Sequence, residues 1–444
     1  MKKSDFLKLL AKSLFIMMAV ITLAACGEDQ PLAPETPNDE PVETPTDEPE
    51  NPIEEPEEPF SPYFEQHDKI INKAVNNFDM ELFRAMFNNG EFTSKFPNAA
   101  ISPLSISFAL SMAANTFDNQ FASEVLSKLQ SDDLAQLNMY FRRLMANQPE
   151  GGALRLANSS WYFDGRIEPS KDYNSNLAKS YSASVKPIDF SNNDMAASII
   201  NGCVADHTDK LIDKIITPQD LANAVVVLAN ALTFDCKWEY EFDEKLTKKD
   251  VFHGANSDAE VDYLHIKKLF GYYESPEVKA IEIPFNGLSY DLMVFLPNND
   301  ETISSVIENL DADAVSSLYY KMSECIVDLS IPKFNSELND KCTDLVESAG
   351  INMRKPHSLI GFTGDENTEF VNQVGEVFHA AKMSINEKGA LAASATVVVD
   401  VTGGSPVYPS KPQEVTLKID RPFFYLLRNI THNNIIIAGC YTQP

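Results

Sequence analysis

The chain carries seven histidines and six cysteines, the side chains best suited to proton transfer, nucleophilic attack or metal ligation. Neither set converges. The histidines are scattered. Cys203, Cys236, Cys325, Cys342 and Cys440 stand at wide, irregular spacings that match neither a zinc pattern nor a disulfide framework. An exported chain could pair some of these thiols, and the spacing does not say which. There is no Gly-x-Ser-x-Gly elbow, no His-Glu-x-x-His helix and no phosphate-cradling glycine loop. The sequence therefore points away from an enzyme, and to no metal and no cofactor. The stretch around which the rest of the chain is organised is residues 387–404.

That stretch reads Glu-Lys-Gly-Ala-Leu-Ala-Ala-Ser-Ala-Thr-Val-Val-Val-Asp-Val-Thr-Gly-Gly. Its first half is almost all small residues. Residues 396–401 are β-branched and favour a strand. A turn-prone, proline-rich run follows at 403–412. Counting by twos from Ala390, one face holds Ala390, Ala392, Ser394, Thr396 and Val398, with no charge until Asp400. Such a face can enter a gap in a packed sheet without overpacking it or burying a charge. Taken alone, the same residues also suit a surface loop followed by an edge strand. The rest of the chain decides between the two readings.

The elements around this stretch begin with a secretory signal: Lys2, Lys3, Lys8 and Lys12, then an apolar run ending Leu23-Ala24-Ala25-Cys26. A cysteine directly after small residues resembles the bacterial lipobox, which implies removal of residues 1–25 and lipidation of Cys26. The next residues, Gly27-Glu28-Asp29, resemble the acidic signal that carries some lipoproteins to the outer cell surface. Residues 27–59 hold nine prolines, thirteen acidic residues and no Lys or Arg, so residues 26–59 are expected to form an extended, solvated stalk. The net charge of −29 leaves −19 on residues 60–444. A domain that acidic argues against nucleic acid and against anionic lipid as a partner. It suits an exported, monomeric protein at the cell envelope, whose contact with the membrane runs through the N-terminal lipid.

No internal linker or repeat divides residues 60–444, so one large α+β domain is expected. Ile71, Ala74, Val75, Phe78, Leu82 and Met86 share a helical face. Ser102 and Pro103 open a second, apolar helix. Strand patterns recur at 154–162, 280–284, 290–296, 325–331, 415–419, 423–427 and 435–440, and helical ones near 171–181 and 195–207. The continuous apolar run 225–232 predicts a strand buried on both faces. Helices lead and strands dominate later, which is not a repeating βαβ order.

Together these motifs resemble the serpin family over residues 63–444. The resemblance rests on Asn98-Ala-Ala-Ile-Ser102-Pro103-Leu-Ser105 and on Val227-Leu-Ala-Asn230-Ala231-Leu-Thr-Phe234-Asp-Cys-Lys-Trp238. Ile331-Pro332-Lys333-Phe334, His379-Ala380-Ala381, Asn386-Glu387 and Arg421-Pro422-Phe423-Phe424 follow in the family order. The resemblance implies a fold of three β-sheets and about nine helices with an exposed reactive-centre loop, here about 387–412. It also implies a suicide-substrate inhibitor of serine proteases. The target cuts the loop, and the hinge then enters the central sheet and traps the acyl-enzyme in a covalent complex. About 14 to 16 inserted residues at roughly 3.3 Å each make a stroke of about 50 Å.

Carried over residue by residue, the hinge comprises Glu387, Gly389, Ala390, Ala392, Ala393, Ser394, Ala395 and Thr396. Leu391 stands on the outer face where Glu is common. Asp400 has inward parity and would oppose the last steps of insertion. The implied reactive bond is Gly403-Gly404, with Val401 and Thr402 as alternatives. The absence of Lys or Arg there implies an elastase-like or other small-residue-preferring serine protease, with a papain-like cysteine protease as a second target class. Ser102, Ser105, Asn230 and His379 match the polar shutter under the central sheet, and Trp238 matches the aromatic at the breach where the loop first enters. Ser102 also suits a plain helix cap, His379 a buried, satisfied histidine, and Trp238 simple core packing. Cys203 stands near a helix position where the family often has Trp. A non-inhibitory serpin, acting as a binding or structural module or a plain protease substrate, is the competing function, kept open by Asp400 and the long loop.

Overall fold

In the computed structural model of the protein, the described residues are 60–147, 152–298, 300–364, 371–373, 377–390 and 412–444. Cys26, the stalk and residues 391–411, including Leu391, Ala392, Ala393, Ser394, Ala395, Thr396, Asp400, Val401, Thr402, Gly403 and Gly404, lie outside them.

Helix α1 (Gln66–Asn88) starts at Glu65, which exchanges capping bonds with Asp68, and buries Ile71, Ala74, Val75, Phe78, Leu82 and Met86 as the periodicity requires. Helix α2 (Pro103–Ala114) opens on Ser102, whose hydroxyl accepts from the Ser105 amide. It is apolar all round, and nearly every residue is buried. Helix α3 (Lys171–Tyr181) and helix α4 (Asn193–His207) are capped by Ser170 and Asn192. Ten α-helices occur among the described residues, against an expectation of about nine, and three of them, Gly90–Lys95, Ile303–Ile307 and Thr343–Ser348, are short.

A nine-stranded sheet forms the largest β-layer. Its centre runs Asn434–Tyr441, Phe423–Asn429, Tyr290–Pro297, Val278–Pro284 and Asp258–Glu274 in order. Val278–Pro284 and Tyr290–Pro297 pair antiparallel around Asn286-Gly287, where Gly287 adopts φ +82°.

The functional architecture lies in a second layer, whose strands are β1 (Leu154–Phe163), β2 (Ser184–Ile188), β3 (Val226–Phe234), β4 (Cys236–Lys237), β5 (Phe334–Lys341), β6 (Phe378–Ile385) and β7 (Gly389–Ala390). They make two half-sheets. One is three-stranded, in the order β2-β1-β3, and the other four-stranded, in the order β5-β6-β7-β4. Strands β3 and β6 lie side by side, yet no ladder joins them among the described residues. Among the described residues, the ladder that links the two half-sheets runs through β7, a two-residue strand at the end where β3 runs on into β4. The expectation that residues 225–232 are buried on both faces holds only in part: Ala229, Ala231 and Leu232 are buried, whereas Val226, Val227 and Leu228 are half-buried. Those three border the open part of the slot.

Candidate functional site: a slot between two half-sheets

The upper end of the slot is closed by Gly389 and Ala390. Ala390 pairs with Ile385 of β6 on one side and with Cys236 of β4 on the other, and Gly389 pairs with Lys237. Ala390 is fully buried. A side chain at 389 would collide with the opposite strand, since a Cβ there would sit 2.1 Å from the Cys236 carbonyl oxygen and 2.7 Å from Lys237 Cα. Only glycine fits that approach. Asn386 makes the turn. Its Oδ1 accepts from the amides of Lys388 at 2.8 Å and Gly389 at 3.3 Å.

Trp238 holds this turn in place. Its Nε1 donates to the Asn386 carbonyl at 2.9 Å, its amide donates to the Lys388 carbonyl at 2.9 Å, and its ring stacks on Phe285 at 4.4 Å. Packing and hinge contact are thus joined in one residue. The Phe242 amide donates to the Glu387 carbonyl at 2.9 Å. The buried Glu387 carboxylate pairs with Lys333 Nζ at 2.6 Å and accepts from the Thr247 hydroxyl at 2.8 Å. Burial alone raises the Glu387 pKa, but the bonds from Lys333 and Thr247 outweigh it, so the carboxyl stays below the usual range.

Beneath the middle of the slot lies a polar chain that reaches both half-sheets through the start of α2. The Ser102 amide donates to His379 Nε2 at 2.9 Å, and the Ser102 hydroxyl donates to the Ile436 carbonyl at 2.7 Å. The Ser105 hydroxyl donates to Asn230 Oδ1, Asn230 Nδ2 donates to Asn158 Oδ1, and Asn158 Nδ2 donates to the Tyr181 carbonyl at 2.6 Å. Ser102, Ser105, Asn158, Asn230 and His379 are all buried. Desolvation pushes the His379 pKa down to about 3. The ring is therefore neutral, accepts at Nε2 and carries its proton on Nδ1. Ser102 is a helix cap and a contact to β6 at once. The four residues expected to cluster do so, with Ser102 and Ser105 bridging His379 on β6 and Asn230 on β3.

Asn158, Lys333, Thr247 and Asn386 also belong to this site; Lys333, Thr247 and Asn386 stand only inside motifs of the resemblance, and Asn158 carried no signal in the sequence. Asn158 stands directly opposite Asn230 in the β1–β3 register, so a strand-pairing map would have found it. Lys333 lies inside the Ile-Pro-Lys-Phe motif, but its partner is 54 positions away and invisible to local spacing.

The lower end of the slot opens into a cavity of about 400 Å³ lined by Leu110, Phe117, Val226, Leu228, Met353 and Phe378, among others. The cavity is bounded by α2 below, β3 on one edge and the start of β6 on the other. Cys203 is half-buried on α4 and packs against the apolar cluster over the outer face of the sheet. Cys203, Cys236, Cys325, Cys342 and Cys440 are all free thiols. No group of His, Cys, Asp or Glu among the described residues could hold a metal. What the arrangement can do chemically is accept a strand: it offers two facing β-edges, an apolar floor and the first two residues already seated.

Comparison with known proteins agrees with this geometry. An uncharacterized serpin-like protein from Thermococcus kodakarensis is 27% identical over 386 residues, 86% of this chain and 87% of its own. Serine protease inhibitor 2 of Anopheles gambiae is 24% identical over 395 residues, 85% of this chain and 93% of its own. The native-state crystal structure of the thermophilic serpin tengpin superposes with a TM-score of 0.71 at 26% identity, covering 86% of this chain and 95% of that one. The family model described as Serpin (serine protease inhibitor) matches residues 73–444, and the chain belongs to the serpin family.

Proposed function

We propose that this chain is an inhibitory serpin, a suicide substrate for serine proteases. The observation that carries the reading is the seam between β3 and β6, unladdered among the described residues, with Ala390 buried at its upper end. A target serine attacks the Gly403 carbonyl, an ester forms, and the amine of Gly404 leaves on the C-terminal part of the chain. The segment N-terminal to the cut then continues the pairing begun by Gly389 and Ala390, gains ladder bonds on both edges, and carries the acyl-enzyme with it. Val401 and Thr402 are the neighbouring candidates for the cut. The small, uncharged residues here favour an elastase-like target, with papain-like cysteine proteases as the second class.

Residues 392–396 suit the slot because Ala392, Ser394 and Thr396 share the parity of the buried Ala390 and stay small. One residue favours the competing reading of a non-inhibitory module or plain substrate: Asp400 also shares that parity, and a carboxylate entering the lower cavity, with Asp220 on its wall, would resist the end of the stroke. Incubation with pancreatic elastase and denaturing electrophoresis separates the two. A boiling-resistant band at the summed mass supports inhibition, and cleavage without that band refutes it. Mass spectrometry of the released C-terminal peptide fixes the bond.

We further propose that Cys26 carries the lipid and that residues 27–59 hold the inhibitor clear of an outer membrane. The protein then acts at the cell surface as a monomer. Cys26→Ser releases it into the soluble fraction if this is right and leaves it membrane-bound if it is not.

A further inference from the structure

On the outer face of the slot, residues 208–225 cross from the end of α4 to the start of β3. This strap is anchored to α4 by Asn201, whose Oδ1 accepts from the amides of Ile215 at 2.8 Å and Ile216 at 3.1 Å and whose Nδ2 donates to the Ile216 carbonyl at 2.9 Å. Ile212, Ile215, Ile216 and Leu221 bury themselves in one apolar cluster with Ala229 and Ala231 of β3 and with Ala380 of β6. The strap thus packs on both half-sheets at once.

Its far side is clasped to the β5–β6 half. Asp220 Oδ1 lies 3.1 Å from Lys341 Nζ, and Asn339 Nδ2 donates to the Lys214 carbonyl at 2.7 Å. Asp220 is preorganised for this contact. It caps the short 3₁₀ turn Pro218–Leu221 by accepting from the Thr217 amide at 2.8 Å and the Thr217 hydroxyl at 2.6 Å. Lys341 is in turn held over the Phe378 ring at 5.3 Å. Beneath the clasp lies the cavity of about 400 Å³, with Ile216, Asp220 and Leu221 on its wall. A strand that widens the spacing of β3 and β6 must part Asp220 from Lys341, because one is carried by the strap leading into β3 and the other by β5.

We propose that the Asp220–Lys341 clasp is a latch that sets the rate at which an inserting strand passes the lower half of the slot. This inference rests on the inhibitory reading above. The latch stays shut while Gly389 and Ala390 are docked, since they occupy only the upper end. It opens late in the stroke, when the protease is already attached. A tighter latch slows insertion and lets the acyl-enzyme hydrolyse, so the clasp governs the share of encounters that end in trapping.

The test uses the full-length protein, nicked in its loop by a non-target protease. Insertion is followed by the gain in thermal resistance with time after nicking, for wild type, Asp220→Asn, Lys341→Met and the double variant. Asn at 220 keeps an oxygen for the Thr217 cap, and melting before nicking confirms that each variant is folded. The expected result is insertion about two- to fivefold faster in each single variant, the worth of one partly exposed ion pair, with no further gain in the double variant. Rates equal to wild type, slower rates, or additive gains in the double variant overturn the latch while leaving the inhibitory reading intact, provided nicked wild type gains resistance. If nicked wild type gains none, the inhibitory reading falls and the latch falls with it.

Discussion

Replacing Gly389 by alanine tests the slot most directly. The added Cβ would lie 2.1 Å from the Cys236 carbonyl oxygen and 2.7 Å from Lys237 Cα. Both are backbone atoms, so no side chain can turn aside to make room. Two responses are open. The strands spread, at the about 1–3 kcal/mol of an overpacked site. Or the turn withdraws and forfeits the bonds from Trp238 Nε1, the Trp238 amide and the Phe242 amide, each worth about 0.5–1.5 kcal/mol net. The two costs are alike, and alanine returns about 0.4–1 kcal/mol by stiffening the unfolded chain. The expected net loss is about 2 kcal/mol. Guanidinium unfolding followed by tryptophan emission reads it, because Trp238 is one of only two tryptophans in the chain. Insertion after the cut continues from the pairing at this position, so a turn displaced here misaligns the arm, and the variant is expected to be cleaved by elastase without forming a complex. An alanine variant as stable as wild type, with full complex formation, would refute the claim that the hinge enters against β4.

Three further predictions concern buried groups. His379 titrates near 3 in the native state against an ordinary 6.5, so its neutral form is favoured by folding. That stabilisation is lost as pH falls below about 6.5, by about 2 kcal/mol at pH 5, and His379→Gln should flatten the fall in a denaturant series across pH 5–7. Asp79 is fully buried, its Oδ1 reaches only Ser107 at 3.5 Å, its Oδ2 has no partner, and desolvation holds its pKa well above the usual carboxylate range. Its native-state burden grows as pH rises above 3.8, so Asp79→Asn should raise the melting temperature at pH 7 and do so less at pH 4. Asn158→Ala removes the acceptor of Asn230 Nδ2 and the donor to the Tyr181 carbonyl, which should cost about 1–3 kcal/mol in denaturant unfolding while leaving loop cleavage by a non-target protease unchanged.

The parts of the fold that local chemistry dictates were legible. The cap at Ser102 followed by Pro103, the apolar stripe of α1, and the Asn286-Gly287 turn all declare themselves within a few residues. The small-residue parity of residues 390–398 is likewise a local pattern, and of that face Ala390 alone lies among the described residues, where it is buried. The half-burial of Val226, Val227 and Leu228 was not legible, since an apolar run looks the same beside a packed strand and beside a cavity. Nor were the long-range partners. Lys333 with Glu387, Asn158 with Asn230 and Asp220 with Lys341 meet through tertiary folding, and nothing in a one-dimensional pattern selects one lysine or asparagine over its neighbours. The strand Asp258–Glu274 went unread because Lys267-Lys268 and Asp262 interrupt its apolar alternation at the exposed edge.

The inhibitory reading poses an energetic question: what keeps residues beyond Ala390 from inserting before the chain is cut. Continuing β7 by about ten residues would add strand bonds on two edges, on the order of 10 kcal/mol at about 1 kcal/mol each. Connectivity supplies the restraint. Between Ala390 and Glu414 there are 23 residues, and Glu414–Lys418 is held in the nine-stranded sheet by parallel pairing to Ile326–Ser330. In an intact loop, each residue sent down the slot needs roughly one more to come back, so about half the segment is the most that can enter before the chain is taut. That is about eleven residues, short of the 14 to 16 of a full stroke. A cut removes the return path and lets the whole arm run. The margin is narrow, and the proline-rich run at 403–412 widens the allowance for the uncut chain. Deleting residues 405–410 should therefore slow the loss of inhibitory activity of intact protein held near its melting temperature, while leaving the thermal resistance of nicked protein unchanged. Equal rates of loss with and without the deletion would show that slack in the loop is not what holds the native state short of insertion.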